Sequence, residues 1–337
     1  MSDRVVVVGS SNVDLIMKVD RLPKPGETVT EADFAQVCGG KGANQAVGAA
    51  RAGGEVAFVS CVGDDAYGSQ VLDSLKTDGI DTRHVFRETG LPTGTALIMI
   101  DSAGENCISV APGANFRLTP RHVDRARDVI ETASVIVTQC EIPPETLEYV
   151  VDLGARLGKT VMLNLAPARP LGDASLARLG VLAVNETEAE FLTGLPVKSD
   201  AEVEAAAAAL AARGPKTVLL TLGARGAWVV GEGHQGLVPG FEVAAVDTTA
   251  AGDVHCGALA VALVEGPATR RCRRVCQRRG SPVDHGPRRA ALRPGAVGDR
   301  SPPPLPHVLS RAPWPVRFSA RQRANEVSGH RDLAPGC

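Results

Sequence analysis

One seven-residue stretch combines the residue types that phosphate chemistry needs. It reads DTTAAGD over residues 247–253 and runs into the apolar, helix-like segment VHCGALAVAL. The small residues Ala250, Ala251 and Gly252 allow a ligand to approach the backbone, and the N–H groups at a helix start favour an anion. Asp253 would then lie in the first helical turn. It is either a general base beside a bound phosphate or an acidic residue that the helix dipole stabilises.

Two further stretches carry groups that could hold a polyhydroxylated ligand. The segment GSSNVD (9–14) places Asn12 and Asp14 after a strand-like run, and an amide together with a carboxylate can grip a diol. The glycine-rich segment CGGKGANQA (38–46) enters a helix with Asn44 as a hydrogen-bonding group. Its spacing matches neither a Walker A loop nor a dinucleotide fingerprint. The alternative for Asn12 and Asp14 is a turn in which their side chains bond to the local backbone.

The segment NETE (185–188) follows another strand-like run. Mg²⁺ prefers oxygen ligands and keeps several of its waters, so Glu188 could hold a magnesium ion through water. The alternative is a helix N-cap followed by acidic residues in the first turn, which we prefer for Glu186. Glu188 is therefore the candidate metal ligand of this segment.

The elements that must position these side chains alternate between strands and helices. Residues 4–9 form a continuous apolar run, which indicates a strand buried on both faces. Similar strand runs lie at 55–63, 133–141, 160–167, 181–188, 217–223 and 226–231, and helical patterns lie at 42–54, 66–79, 145–158 and 200–214. The alternation predicts an α/β fold with a mostly parallel sheet flanked by helices. Ligands of such sheets bind beyond the carboxyl ends of the strands, where Asn12, Glu141, Asn185 and Thr221 lie.

Two stretches, residues 13–37 and 94–115, break this alternation. Both look like hairpins with polar turns. We predict that together they form a small β-sheet that projects from the main domain and acts as a lid.

Composition argues against several classes of protein. The chain has 337 residues and a net charge of −2, which gives no case for nucleic acid or an anionic membrane as a partner. No apolar run reaches the length of a membrane span and no signal-like segment precedes the first strand, so we expect a cytoplasmic location. Cys61, Cys107 and Cys140 lie in apolar runs and are predicted to be buried reduced thiols. Cys272 and Cys276 lack a second pair at zinc spacing, so no metal site is predicted there.

Together and in this order, the motifs resemble the ribokinase-like family of carbohydrate kinases over about residues 4–264. The resemblance rests on GSSNVDLI, GGKGANQAVGAARAG, VGDDAYG, GTALIMID, APGAN, LNLAPA, NETEAE, TLGARGA and VDTTAAGD. It implies ATP-dependent transfer of the γ-phosphoryl group to the O5 hydroxyl of D-ribose. It also implies Mg²⁺ and K⁺ as cofactors, and a homodimer formed through the lid.

The resemblance also assigns roles to residues. Asp253 matches the catalytic base, and the amides of Ala250, Ala251 and Gly252 match the anion hole. The positions that match the sugar site are Asn12, Val13, Asp14, Gly40, Lys41, Gly42, Ala43, Asn44, Glu141 and Asp253. The positions that match the nucleotide site are Asn185, Thr221, Leu222, Gly223, Ala224, Arg225, Gly226, Gly252 and Asp253. Asp247 and Thr249 match part of a potassium site, and His255 stands where the family usually has an aromatic residue and is predicted to pack.

The chain departs from the family near its end. We predict a kinase domain over 1–265 and an aberrant, disordered tail over 266–337, which has fifteen Arg, eleven Pro and no Lys. Such a composition is typical of a GC-rich coding region that is read out of frame. Codons for residues 275–279 and 285–294, read one base later, permit peptides that resemble the missing family segments.

The resulting hypothesis is a frameshift between about Leu263 and Val275. It makes the activity of the chain as written doubtful, because the nucleotide side of the fold would be incomplete. Two alternatives to a ribose kinase therefore stay open: a kinase for another sugar or a nucleoside, and a catalytically impaired sugar-binding protein.

Overall fold

Residues 3–231, 233–240 and 250–264 are described by the computed structural model, and they form two β-sheets with covering helices. The strands are β1 (Arg4–Val8), β2 (Asn12–Lys18), β3 (Asp33–Gly39), β4 (Glu55–Gly63), β5 (Asp81–Glu88), β6 (Gly94–Ile100), β7 (Asn106–Ala111), β8 (Ala133–Gln139), β9 (Thr160–Asn164), β10 (Val181–Asn185), β11 (Thr217–Thr221), β12 (Gly226–Gly231) and β13 (His234–Pro239). The helices are α1 (Lys41–Arg51), α2 (Ala66–Thr77), α3 (Pro120–Arg125), α4 (Arg127–Thr132), α5 (Pro144–Arg156), α6 (Asp173–Leu176), α7 (Glu186–Thr193), α8 (Asp200–Ala212) and α9 (Ala251–Val264).

The larger sheet has nine strands in the order β13-β12-β11-β10-β9-β8-β1-β4-β5. The strands from β5 to β11 in that order pair in parallel, while β12 and β13 add an antiparallel edge. Because the strands are parallel, the residues that follow β1, β8, β9, β10 and β11 emerge along one edge of the sheet. That edge carries the candidate site.

Both faces of this sheet are buried. In β1, Val5 and Val7 pack into one apolar cluster together with residues of α1, α2 and α9. Val6 and Val8 pack into a second cluster together with residues of α5 and α8 on the opposite face. A strand covered on both faces needs a continuous apolar run, which is the pattern that residues 4–9 display.

The smaller sheet has the order β3-β2-β6-β7. β2 pairs antiparallel with β3 and parallel with β6, and β6 pairs antiparallel with β7. It is built from the two stretches, 13–37 and 94–115, that the sequence singles out. Its strand β2 follows β1 after only three residues, so the first residues of β2 lie at the edge of both sheets.

The α/β class, the mostly parallel sheet with its helices and the small second sheet are confirmed. The sequence patterns miss β5, whose residues DTRHVFRE mix charged and apolar types at the edge of the large sheet. The prediction for Cys107 is wrong: it lies on β7, an edge strand whose residues are all exposed, whereas Cys61 and Cys140 are buried as predicted. Within the described ranges, no helix combines the length and hydrophobicity needed to cross a membrane.

Candidate active site

Asp253 lies in the first turn of α9, and the backbone there has an unusual conformation. Ala250, just before the helix, has a φ of 57°, a left-handed value that costs a residue with a Cβ roughly 1–2 kcal/mol. The first helical hydrogen bond runs from the N–H of Val254 to the carbonyl of Ala250. The N–H groups of Ala251, Gly252 and Asp253 therefore have no acceptor within the helix and are available to an anion.

No other part of the described chain fills the space beside Gly252. A Cβ added at Gly252 would meet no atom within 4 Å among the described residues. Glycine is therefore not required at position 252 by the packing of the described chain, and its small size leaves room for a ligand. This geometry suits the anion hole that the resemblance implies for residues 250–252.

Helix α1 brings two amide side chains to Asp253. The two helices approach closely because Gly48 and Gly257 face each other's backbones: a Cβ at Gly257 would lie 2.3 Å from the carbonyl oxygen of Gln45. Gln45 Nε2 lies 3.1 Å from Asp253 Oδ1, and Asn44 Nδ2 lies 3.5 Å from Asp253 Oδ2. The predicted sugar ligand Asn44 thus contacts the predicted base.

Burial raises the pKa of Asp253, which is 7% exposed. The positive charge of Lys41 and the hydrogen bonds from Gln45 and Asn44 act in the opposite direction, while the carboxylate of Glu141 adds to the increase. A carboxylate with a raised pKa is a stronger base than an exposed one, so these surroundings suit proton abstraction from a hydroxyl.

Asp14 and Glu141 face the same space. Burial, followed by the charges of Glu141 and Asp253, raises the pKa of Asp14 to about 6. The Oδ1 atom of Asp14 is buried without a hydrogen-bond partner among the described residues. Glu141 accepts hydrogen bonds from Ser10 Oγ at 2.6 Å and from the Lys41 N–H at 3.1 Å. Asp14 is therefore an acceptor without a partner, in a site with excess negative charge.

Asn12 is held by a residue to which the sequence assigns no role, Asn115. Asn115 Nδ2 donates to Asn12 Oδ1 at 2.8 Å and to the carbonyl of Ser11 at 3.1 Å, and its Oδ1 accepts from the Ser11 N–H at 2.9 Å. These bonds fix the Asn12 carboxamide. Asn115 ends the motif APGAN, which was the one sequence signal that pointed to it.

The glycine-rich loop packs on the start of the chain. A Cβ at Gly42 would lie 2.7 Å from backbone atoms of Gly9 and Ser10, and Gly40 has a φ of 89°. The N–H of Ala43 donates to the Ser10 carbonyl at 2.9 Å. Gly40 and Gly42 are therefore required by the contact between protein segments. Val13 is buried in the apolar core, so its side chain does not face the site.

The sequence matches the family described as pfkB family carbohydrate kinase over residues 2–281. The chain belongs to this family. Ribokinase of Haemophilus influenzae is 39% identical over 265 residues, which are 79% of this chain and 87% of that protein. A deoxyribokinase of Salmonella typhi is 37% identical over 257 residues, which are 76% of this chain and 84% of that protein.

A solved structure agrees with this membership. Arabidopsis thaliana ribokinase complexed with ribose and ATP has a TM-score of 0.74 and 33% identity, and the match covers 82% of this chain and 91% of that one. The predicted resemblance is thus confirmed, and the chain is an ATP-dependent carbohydrate kinase. The family match extends past residue 265, where we place the end of the kinase domain.

The residues predicted for the nucleotide of this pfkB-family kinase lie on neighbouring strands. Asn185 ends β10 and is the register partner of Thr221, which ends β11. Leu222, Gly223, Ala224, Arg225 and Gly226 form the turn between β11 and β12. The Arg225 guanidinium is 42% exposed and pairs with Glu186 at 3.0 Å and Asp200 at 2.9 Å.

The candidate metal ligands have different outcomes. Asn185 is the N-cap of α7 and forms a capping box with Glu188: Asn185 Oδ1 accepts from the Glu188 N–H, and Glu188 Oε2 accepts from the Asn185 N–H, both at 2.8 Å. Burial raises the pKa of Glu188, against the effects of that N–H group and of Lys41. Asp247 and Thr249 lie outside the described residues. His255 is buried, as a packing residue would be.

A second group of potential metal ligands lies away from this site, at Cys61, Glu88 and His122. Burial raises the pKa of the Cys61 thiol to about 12, so the thiol is protonated. His122 Nδ1 accepts from the Thr119 N–H at 3.2 Å, which leaves the proton on Nε2, 3.3 Å from Glu88 Oε1. With Nδ1 and Nε2 both engaged, the group serves the packing between β4, β5 and α3 rather than a metal.

Proposed function

We propose that this kinase transfers the γ-phosphoryl group of ATP to the O5 hydroxyl of D-ribose. The observation that carries the proposal is the placement of Asp253: its carboxylate lies at the start of α9, within electrostatic range of Asp14 and Glu141. A base beside an anion-binding turn is what phosphoryl transfer to an alcohol requires. Relatives named ribokinase support ribose as the alcohol.

In the proposed reaction, Asn12, Asp14 and Glu141 bind the sugar hydroxyls and orient O5 towards the phosphate. Asp253 accepts the proton of the O5 hydroxyl as O5 attacks the γ-phosphorus. The bond between the γ-phosphorus and the β–γ bridging oxygen breaks, and ADP leaves with that electron pair. The amides of residues 250–252 donate to the oxygens of the phosphoryl group that is being transferred. Placement of the reactants and stabilisation of the charge on the transition state lower the barrier.

The proposed nucleotide contacts are Asn185 and the turn from Thr221 to Gly226, together with Gly252. Glu188 suits a magnesium ion held through water, because one of its carboxylate oxygens is committed to the capping box. Mg²⁺ would neutralise charge on the β- and γ-phosphates. We propose potassium ligation by Asp247 and Thr249 from the family resemblance alone, and no step of the reaction is derived from it.

Purified protein with ATP, Mg²⁺, K⁺ and D-ribose tests the proposal, with ribose 5-phosphate identified by NMR. Asp253→Asn is expected to lower kcat by about 10²–10⁴-fold, because it removes the general base. Asp152→Asn, an exposed ion-pair residue on α5, is the matched control and should leave kcat unchanged. Ribose turnover that survives in Asp253→Asn would contradict the assigned role.

A substrate panel distinguishes ribose from its closest rivals. The deoxyribokinase of Salmonella typhi is nearly as similar to this chain as the ribokinases, so 2-deoxyribose is the first competitor, followed by other sugars and nucleosides. We expect the highest kcat/KM for D-ribose. A higher value for any other member of the panel would replace ribose as the substrate and leave the kinase mechanism intact.

The tail leads to a separate test. We propose that residues 266–337 result from a frameshift and that the chain as written is less active than a frame-restored version. Comparison of kcat/KM for the two proteins under identical conditions decides this, and equal values would show that the tail is harmless. Resequencing that finds an uninterrupted frame between Leu263 and Val275 would also end the idea.

We also propose that the small sheet is a lid and a dimer interface. It starts at Asn12 and Asp14, the proposed sugar ligands, and it exposes large apolar side chains at Phe34, Leu97 and Ile108. An exposed apolar surface of this kind favours association with a second copy. Sedimentation of Phe34→Glu and of the parent protein tests for a dimer. We expect the enzyme in the cytoplasm.

A further inference from the structure

A chain of buried amide side chains leads to Asp253. Gln139, at the end of β8, donates from Nε2 to Gln45 Oε1 at 2.7 Å. Gln45 Nε2 in turn lies 3.1 Å from both Asp253 Oδ1 and Asn164 Oδ1. Gln45 and Gln139 are completely buried. The chain thus joins α1 and the ends of β8 and β9 to the carboxylate.

The carboxylate dictates the direction of these hydrogen bonds. If the two glutamine amides were reversed, Gln45 Oε1 would face Asp253 Oδ1, and two acceptors would meet without a proton between them. Gln139 therefore orients Gln45 so that its donor group faces Asp253. Gly9 leaves room for this arrangement, since a Cβ there would lie 2.0 Å from Gln139 Oε1.

The two oxygens of Asp253 are unequally held. Oδ1 accepts from Gln45 at 3.1 Å, and Gln45 cannot move because it is buried between two helices and the sheet. Among the described residues, Oδ2 has one hydrogen-bond contact, with Asn44 at 3.5 Å, which is at the limit of a hydrogen bond, and Asn44 is half-buried. One oxygen is anchored and the other is available.

We propose that Gln45 is a positioning residue that anchors Oδ1 of Asp253 and so presents Oδ2 to the hydroxyl of the sugar. The inference rests on the proposed function. It assigns a role to the completely buried residue of the glycine-rich segment that follows Asn44. Gln139 supports the same arrangement by holding the Gln45 amide.

The charged groups that the described residues place around Asp253 act on its pKa. Lys41 from α1 lowers the pKa, whereas Glu141 after β8 and the carboxylates of Asp14 on β2 and Glu188 on α7 repel the charged form. The Gln45 hydrogen bond stabilises the charged form. Its removal therefore raises the pKa of Asp253 and moves the acidic limb of the pH–rate profile to higher pH.

Gln45→Met keeps the length of the side chain and removes its donor. We expect kcat for ribose to fall about 10–100-fold, as for a misplaced catalytic group, and the KM for ribose to stay within about threefold. The acidic limb of kcat/KM should move to higher pH. Gln235→Met removes an exposed amide that bonds to Glu204 on the far edge of the sheet, and it should match the parent in all three respects.

Thermal unfolding of the full-length chain provides a readout that does not need activity. The pKa of Asp253 is about 3.8 in the unfolded chain and is higher in the folded chain. Such a group stabilises the fold fully at a pH below its unfolded pKa, and this stabilisation is lost as the pH rises through its folded pKa. Because Gln45→Met raises the folded pKa further, the Tm gap between parent and variant should widen as the pH rises through the folded pKa of the parent, which lies above 3.8. In the Asp253→Asn background the gap should not change with pH.

The outcomes separate the two proposals. An unchanged pH profile, or a Tm gap that is the same at every pH, would overturn the role of Gln45. A fall in kcat with no pH shift would mean that Gln45 only packs, and would also overturn it. If the parent fails to phosphorylate ribose, the proposed function fails, and the Tm series with and without Asp253 still decides whether Gln45 anchors the carboxylate.

Discussion

The proposed active site has a sugar end and a nucleotide end, and the two are built differently. At the sugar end, Asn12 and Asp253 are buried and contact partners that are themselves buried, and Asp14 is half-buried. At the nucleotide end, Asn185 and Arg225 are exposed, and their side chains serve a helix cap and surface ion pairs. The sugar end is thus held in shape before the sugar binds. At the nucleotide end, contacts with the nucleotide would come mainly from the backbone and from the shape of the turn.

This difference has an energetic reason. Buried polar groups need fixed partners, because an unpaired buried donor or acceptor costs about 1–3 kcal/mol. The unpaired Asp14 Oδ1 is such a group, and a sugar hydroxyl would satisfy it. A rigid, buried end of this kind discriminates between hydroxyl patterns, whereas an exposed end tolerates substitution. Specificity should therefore respond to changes at the sugar end.

The largest effect on sugar binding is expected from Asp14→Asn. It removes a buried anionic acceptor, so the Kd for ribose should rise about 10–150-fold, the range for a hydrogen bond to a charged group. In the parent, the Kd should also rise as the pH falls through about 6, because protonation abolishes the same acceptor. Calorimetric titration with ribose at several pH values measures both effects.

The matched control for this prediction is Asp33→Asn, since Asp33 is an exposed aspartate on the neighbouring strand β3. It should bind ribose as the parent does. The Asp14→Asn variant should show little pH dependence between pH values on either side of about 6. A strong pH dependence that persists in Asp14→Asn would assign the titration to another group and weaken the contrast between the two ends.

An intermediate effect is expected from Asn115→Ala. Asn115 fixes the Asn12 carboxamide and the Ser11 backbone through its hydrogen bonds. Its loss should destabilise the fold by about 1–3 kcal/mol and raise the KM for ribose about tenfold, because Asn12 is then free to turn. Urea unfolding and steady-state kinetics measure the two changes.

Asn106→Ala serves as the control for Asn115→Ala, because Asn106 is an exposed asparagine on β7. If Asn115→Ala lowered stability without any change in the KM for ribose, Asn115 would not contribute to the geometry of the sugar end. The comparison would then depend on Asp14 alone. An effect on the KM for ATP of the same size would show that the change spreads across the whole site.

The contrast also explains which residues could be predicted from sequence. Asp14, Asn44 and Asp253 belong to short motifs whose residue types indicate chemistry, and parallel strands gather such motifs at one edge. Gln45 and Asn115 contact those residues from within the core, and their partners are distant in sequence: 208 positions separate Gln45 from Asp253. No local pattern encodes such a pairing, so only the packed structure reveals it.

The fold followed a similar rule. Strands with two buried faces, such as β1 and β11, can be predicted because their sequences are continuous apolar runs. Strand β5 at the sheet edge and strand β7 of the small sheet have exposed residues, so β5 was missed and Cys107 on β7 was wrongly predicted to be buried. Gly42 is required by its packing against Gly9 and Ser10, which no local pattern indicates, and the contact of this loop with a sugar stays a prediction.

The smallest effect is expected at the nucleotide end, from Arg225→Ala. Its two ion pairs are exposed and should contribute no more than about 1 kcal/mol to stability, and the KM for ATP should stay within about threefold of the parent. Gly223→Ala is the informative comparison: Gly223 has a φ of 57°, and a Cβ there would project into space that no described atom occupies. If the backbone of this turn contacts the nucleotide, Gly223→Ala raises the KM for ATP more than Arg225→Ala does. The reverse order would mean that the Arg225 side chain leaves its surface partners to bind phosphate, and the nucleotide end would then depend on side chains as the sugar end does.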